Sequence, residues 1–266
     1  MTGNEPASDA RPVLRLVHHL ARTGGTTISK CLAVMPGVAL LSEIHPLGIE
    51  KISALRQARD WFNLVGEDEI DRLGAHPDFA ASIRLIAARA STRGLSLVIR
   101  DWNHLDFTGP PLVETPGFRM ATADALSAHF RLRRIATVRH PIDQWQSLRR
   151  VPLMRGKIDL DRFLVGYRRF AELAAPLGMV RFEDFCAEPE AWLQRLCAAL
   201  DLRYDAGWRE RWASYDRITG DDAARRGGAA LSLPRRRPLE PGLADAFLRH
   251  PDYRPALALL GYRHPI

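Results

Sequence analysis

The strongest constraint on this chain is a three-part run near its start. Val13-Leu-Arg-Leu-Val-His-His-Leu20 has the apolar, β-branched character of a strand, and Ala21-Arg-Thr-Gly-Gly25 breaks it. Thr26 to Met35 (TTISKCLAVM) then carries apolar residues at helical spacing. Glycines between a strand and a helix let backbone N–H groups turn towards an anion, and the helix N-terminus adds its partial positive charge. Thr26 and Thr27 can supply hydroxyl donors and Arg22 a fixed charge. The plainer reading of the same run is a Gly-rich turn capped by Thr. A nucleoside-triphosphate loop of the form G-x-x-x-x-G-K-[ST] needs Lys directly before Thr26, where this chain has Gly25, so an ordinary ATP or GTP site is disfavoured.

Further strands are expected at Val38–Leu41, Leu95–Ile99, Arg134–Val138 and Met179–Phe182. Helices are expected at Phe79–Ala90, Asp161–Ala174, Glu188–Leu200 and, shorter, Pro255–Leu260. Thr219 to Pro241, rich in Gly, Arg and Pro, reads as a long loop. Strands alternating with helices predict an α/β fold of three layers, with a central parallel sheet covered on both faces. In such a sheet the ligand sits beyond the carboxyl ends of the strands. No internal repeat or linker divides the chain, so the expectation is a disordered tail at 1–10 and one α/β domain at 11–266.

The basic residues are almost all arginine: of 38 Lys and Arg, only Lys30, Lys51 and Lys157 are lysine, and the net charge is +7. Arg is suited to forked recognition of phosphate and sulfate oxygens, although a GC-rich genome explains most of such a bias. The excess therefore points only to an anionic partner. Cys31, Cys186 and Cys197 are too few and scattered for a disulfide framework and suit a reducing compartment. With no signal-like apolar start and no run of 18 apolar residues, the chain reads as soluble and cytoplasmic, with no membrane partner. No H-x-x-x-H pair or Cys/His cluster implies a metal. The run Arg235-Arg-Arg237 lacks the interleaved aromatics of a nucleic-acid stacking platform.

A second anion site is suggested where the fourth strand ends in Arg139-His-Pro-Ile-Asp143 and a helix carrying Ser147 follows. Pro141 suits a helix start and Asp143 its first turn. The gap from Arg139 to Ser147 places a strand-end guanidinium and a helix hydroxyl where both could reach one phosphate. After the second strand, Glu43 and His45 stand two apart and would share a face of an extended segment. A carboxylate beside an imidazole can hold it in one tautomer or itself act as base.

These motifs together resemble one family. Val17-His-His-Leu-Ala-Arg-Thr-Gly-Gly-Thr-Thr-Ile28 resembles the 5′-phosphosulfate loop of sulfotransferases that use 3′-phosphoadenosine 5′-phosphosulfate (PAPS), with Ala21-Arg22 where many members have Pro-Lys. Arg139 to Ser147 is similar to the family's 3′-phosphate element, R-x-P-x-D-x-x-x-S. Val180-Arg-Phe-Glu-Asp-Phe185 with Glu188-Pro189 looks like its Y-E-D segment, Phe182 taking the place of the aromatic near the adenine. Gly220 to Gly228 resembles the late loop that closes over the 3′-phosphate, with Arg225, Arg226 and Gly227 at the matching positions.

The resemblance spans roughly residues 14 to 228. It implies a P-loop-like sulfotransferase of bacterial type that uses PAPS, releases 3′-phosphoadenosine 5′-phosphate (PAP) and needs no metal. The transfer would run in line, without a covalent enzyme intermediate, to a hydroxyl or amine of a small-molecule or carbohydrate acceptor. Arg22, Thr23, Gly24, Gly25, Thr26 and Thr27 would hold the phosphosulfate, Arg22 also meeting the bridging oxygen. Met35 to Pro46 resembles the heparan-type branch, which implies Glu43 as general base with His45 assisting. Arg100, Trp102 and His104 are expected at the acceptor site, and Asp101 or His104 is a rival base. Two other readings are a P-loop kinase, in which Leu97-Val-Ile-Arg-Asp101 serves as the Walker B strand, and a non-catalytic module binding anions or nucleic acid.

Overall fold

Alternating side chains decide the layering. Along β1 (Val13–His19), Leu16 belongs to one core and Val17 to another; Leu40 and Leu41 divide in the same way in β2 (Val38–Ile44), as do Val98 and Ile99 in β3 (Ser96–Asp101). Successive side chains of a strand point to opposite faces, so one sheet here separates two apolar layers. With β4 (Arg131–Val138) and β5 (Met179–Arg181) the order is β2-β3-β1-β4-β5, and every pairing is parallel. Central β1 pairs on both sides, Val17 lying opposite Arg100 of β3 and Ile135 of β4. The computed structural model describes residues 10–220, 231–233 and 235–265. Most of the expected tail at 1–10 and all of Arg225, Arg226 and Gly227 lie outside the described residues.

Helices cover both faces. They are α1 (Gly25–Ala33), α2 (Ala54–Phe62), α3 (Glu67–Arg72), α4 (Phe79–Thr92), α5 (His104–Phe107), α6 (Ala121–Leu126) and α7 (Pro141–Leu148). After these come α8 (Leu160–Ala174), α9 (Phe182–Ala187), α10 (Pro189–Ala199), α11 (Trp208–Arg211), α12 (Leu243–Arg249) and α13 (Tyr253–Leu260). One core gathers Ile28 and Leu32 of α1, Leu196 of α10 and Trp208 of α11 against Val17 and Ile135. The other gathers Ile86 of α4, Phe163 and Phe170 of α8 and Tyr253 of α13 against Leu16 and Ile99. Among the described residues no helix is long and apolar enough to cross a membrane.

Several element boundaries differ from the expected ones, and three of the differences have a local reason. β2 runs on to Ile44 because a register shift between Ser42 and Ile44 absorbs Glu43, whose φ of 57° takes it out of the strand pleat. β4 begins at Arg131, where alternating exposed arginines conceal the strand from an apolar pattern. Phe182 opens α9 rather than closing β5. All strands share one direction, so the residues just beyond or at their carboxyl ends (the loop after His19, Glu43, Arg100, Arg139 and Phe182) come to one edge of the sheet.

Candidate active site

The loop after β1 is shaped by its own backbone. Gly24 has φ 81°, in the left-handed region that glycine enters without penalty, and α1 begins at the next residue with no side-chain cap and no acid in its first turn. The first N–H groups of α1 therefore face the cleft without a side-chain acceptor. A Cβ on Gly24 would lie 2.1 Å from Cδ2 of Phe182, so the loop and the start of α9 touch only because that position is glycine. Thr23 works inward instead: its buried hydroxyl donates to the Leu20 carbonyl at 2.9 Å, which ties the loop to its own strand. Arg22, with φ 70°, is a non-glycine residue held in the left-handed region.

The second element meets the first directly. Arg22 Nε donates to Ser147 Oγ of α7 at 2.9 Å, Gln144 Nε2 donates to the Ala21 carbonyl at 2.8 Å, and Arg139 Nη1 reaches the Arg22 carbonyl at 3.4 Å. Tyr167 Oη donates to the Arg139 carbonyl at 2.8 Å and fixes the strand end. The Arg139 guanidinium lies 5.5 Å from the centre of the Phe182 ring, and its buried Nε has no hydrogen-bond partner. Burial pulls the Arg139 pKa below the ordinary guanidinium value, while the charges of Asp143 and Glu183 oppose that shift. A charged, half-buried donor with an open N–H is a poor arrangement on its own and a good one for an arriving oxyanion.

A third cluster lies at the ends of β1, β2 and β3. Arg100 is 2% exposed; its Nε donates to His19 Nε2 at 2.8 Å and its Nη2 to Glu43 Oε1 at 2.9 Å. Nη1 donates to Ser42 Oγ and to the Thr219 carbonyl, each at 3.1 Å. His19 Nδ1 donates to the Leu20 carbonyl at 3.0 Å, which leaves Nε2 as the acceptor that Arg100 requires. Burial, reinforced by the Arg100 charge, pushes the His19 pKa down to about 3, so the ring is neutral near pH 7. The bulge at Glu43 aims its carboxylate at this cluster. One point, where a Cβ on Gly220 would lie, is 3.1 Å from Thr26 Oγ1, 3.2 Å from Arg100 Nη2 and 3.3 Å from Glu43 Oε1. Loop hydroxyl, guanidinium and carboxylate thus converge within a few ångström.

These three clusters line one cleft of about 770 Å³, within the range of nucleotide and drug-sized sites. Of the residues singled out in the sequence, Arg22, Gly24, Gly25, Thr26, Thr27, Glu43, Arg100, Trp102, Arg139, Ser147 and Phe182 face it. Thr23, His45 and His104 do not. The bulge breaks the alternation that would have put His45 beside Glu43. Instead His45 caps the turn at 46–48, its Nδ1 accepting from the Leu47 N–H at 3.1 Å and its Nε2 lying 3.1 Å from Asp106 Oδ2. His104 is buried in α5 against Thr108, and burial pushes its pKa down to about 4.

Asp101 is also turned away from the cleft. It accepts from His18 Nδ1 at 2.8 Å and Thr122 Oγ1 at 2.7 Å. Burial pushes this carboxyl up, but the His18 bond and charge outweigh it and hold the pKa below the usual range. Sequence reasoning gave no site role to His19, which reads as one more strand residue, or to Asp143 beyond its helix turn; the Asp143 carboxylate is gripped by Arg236 at 2.6 Å. Leu148, residues 150–154 and the two arginines Arg235 and Arg237 also face the cleft.

No protein-family model matches the chain, and no curated protein matches it in sequence. Solved structures do match in fold. A sulfotransferase domain from the curacin biosynthetic pathway superposes with a TM-score of 0.63 at 16% identity, over 96% of this chain and 99% of that one. A sulfotransferase domain from the olefin synthase of Synechococcus PCC 7002 superposes with a TM-score of 0.55 at 18% identity, over 100% and 94%. The chain therefore has the fold of these sulfotransferase domains.

Proposed function

We propose that this protein, which shares the sulfotransferase fold, transfers a sulfuryl group from PAPS to a hydroxyl or amine of an acceptor. The observation that carries the reading is the junction of two anion-binding elements in one cleft: the Gly24-Gly25-Thr26-Thr27 start of α1, and Arg139 with α7, joined by the Arg22–Ser147 hydrogen bond. The donor nucleotide has two anionic ends, and two separate sets of donors suit it better than one triphosphate loop. The orphaned Nε of Arg139 fits such a ligand, and Gly24 lets the Phe182 ring pack against the loop beside it.

Each residue then has a task. The backbone of 24–27 and the Thr26 and Thr27 hydroxyls hold the phosphosulfate end, and Arg139 with Ser147 holds the 3′-phosphate. Arg22 keeps a fixed positive charge beside the bridging oxygen; it offsets charge there without donating a proton. Glu43 Oε1 reaches the convergence point with Thr26, and Glu43 takes the proton of the acceptor hydroxyl or amine. A kinase reading is weaker, because Gly25 occupies the loop-lysine position and the side chain at the end of β3 that faces the cleft is Arg100, not Asp101.

Thermal unfolding with added PAP or Mg-ATP separates the two readings. A ligand at a hundred times its Kd stabilises a fold by about 2.7 kcal/mol, which is on the order of 5–10 °C for a chain of this size. PAP is expected to give this shift and Mg-ATP a small one. Stabilisation by Mg-ATP alone would overturn the reading. Transfer of label from ³⁵S-PAPS across an acceptor library then tests the reaction itself.

A further inference from the structure

The cleft has two unlike ends. Phe182, Cys186 and Leu231 face it from the core layer of α1 and α10, and Gly24 and Arg139 lie against the Phe182 ring. Leu148, Val151 and Met154 face it from the opposite core layer. Beyond Ser147 the wall continues through Val151, Pro152, Leu153 and Met154, and Trp102 completes it from the end of β3, its ring packed 3.0 Å from where a Cβ of Gly48 would lie. Along this segment the polar side chains that face the cleft are Gln146, Ser147 and Arg150, and Arg235 and Arg237 face the cleft as well. Among the described residues the two most exposed large apolar side chains are Leu47, beside Gly48, at 57%, and Leu153, at 53%. Leu153 belongs to this wall, where a ligand would cover apolar surface that now faces water.

In-line transfer requires the acceptor to approach from the side opposite the departing nucleotide. If the nucleotide rests at the Phe182 end, the acceptor must lie along Trp102 and residues 148–154. From this arrangement we infer that the acceptor is an apolar alcohol: an alkyl or aryl body seated on Trp102, Leu153 and Met154, with its hydroxyl turned to Glu43. The inference rests on the donor reading above. A sugar ring carries a hydroxyl on most of its carbons, and against this wall most of them would be buried without partners, which is costly. An alkyl chain gains with every methylene it buries.

The test titrates PAP-loaded protein calorimetrically with 1-butanol, 1-hexanol, 1-octanol, 2-naphthol and glucose, alongside the Leu153→Gln variant. Affinity is expected to rise about threefold to fourfold per methylene along the alkanol series, with 2-naphthol binding and glucose not. In Leu153→Gln that gain should fall to twofold or less per methylene, with PAP affinity within twofold of the parent. Affinity independent of chain length, a gain left intact by Leu153→Gln, or binding of glucose at least as tight as of 1-octanol would each overturn the apolar acceptor. Failure of the donor reading looks different, because PAP itself would then not bind.

Discussion

Replacing Gly24 by Ala tests the loop geometry most directly, because two separable costs fall on one atom. An L-residue in the left-handed region pays about 1–2 kcal/mol. The new Cβ also lies 2.1–2.6 Å from three ring atoms of Phe182, and relieving that overlap costs about 1–3 kcal/mol. Together the change should remove about 2–5 kcal/mol, a fall of roughly 4–20 °C in the unfolding midpoint. Any relief that swings the Phe182 ring also takes it from beneath the Arg139 guanidinium, so PAP affinity should drop at least tenfold. Urea titration and calorimetry of Gly24→Ala, Phe182→Ala and the double variant form a thermodynamic cycle. In the double variant the overlap is gone and only the backbone cost remains, so the coupling should be about 1–3 kcal/mol in favour of the pair. Additive losses, or a Gly24→Ala protein with the parent's midpoint, would refute the argument that Gly24 and Phe182 are in mutual contact by necessity.

Arg139→Ala should weaken PAP binding by about 2–4 kcal/mol in calorimetry, since it removes a half-buried charged donor; unchanged affinity removes Arg139 from the site. Glu43→Gln should abolish label transfer from ³⁵S-PAPS while leaving PAP affinity within about twofold, and surviving turnover would move the base elsewhere. Gly220→Ala places a methyl at the point shared by Thr26, Arg100 and Glu43, and φ 102° strains it there, so turnover should fall at least a hundredfold (about 2.7 kcal/mol) with only a modest loss of PAP affinity. Stability should fall on acidification. Burial lowers His19 to about 3 and His104 and His140 to about 4, against about 6.5 unfolded. The unfolded chain then binds protons that the folded one refuses, so stability is whole above pH 6.5 and is lost towards pH 4, at up to about 4 kcal/mol per pH unit. Asp106, whose carboxyl burial raises, offsets part of this at the acid end. Urea midpoints between pH 8 and pH 4.5 that stay level would contradict it.

The half of the cleft proposed for the donor was legible in the sequence because its signals are local. Glycines next to a strand and a Pro at the start of a helix act within a few residues, and Arg22, Thr26, Arg139 and Ser147 follow from them. The pairings at the ends of β1, β2 and β3 were not, because they join residues far apart in the chain, even though Glu43 and Arg100 were singled out. His19 gains its role from Arg100, 81 residues later in the chain, and Glu43 from a bulge that no alternation pattern contains. That bulge is also why His45, two residues on, leaves the cleft for Asp106. The segment at 148–154 gave no sign of which ligand it would meet, because its apolar residues read as ordinary core until the cleft opens beside them.

The position of β1 in the middle of the sheet has a consequence for how the molecule is made. β1 leaves the ribosome before either strand that flanks it, and both β3 and β4 lie far downstream. Until they arrive, an apolar strand waits with both hydrogen-bonding edges open, which is a template for association with other chains. Its anion loop cannot be held by Ser147 before α7 has been synthesised. A nascent chain stalled before β4 would therefore be prone to aggregate.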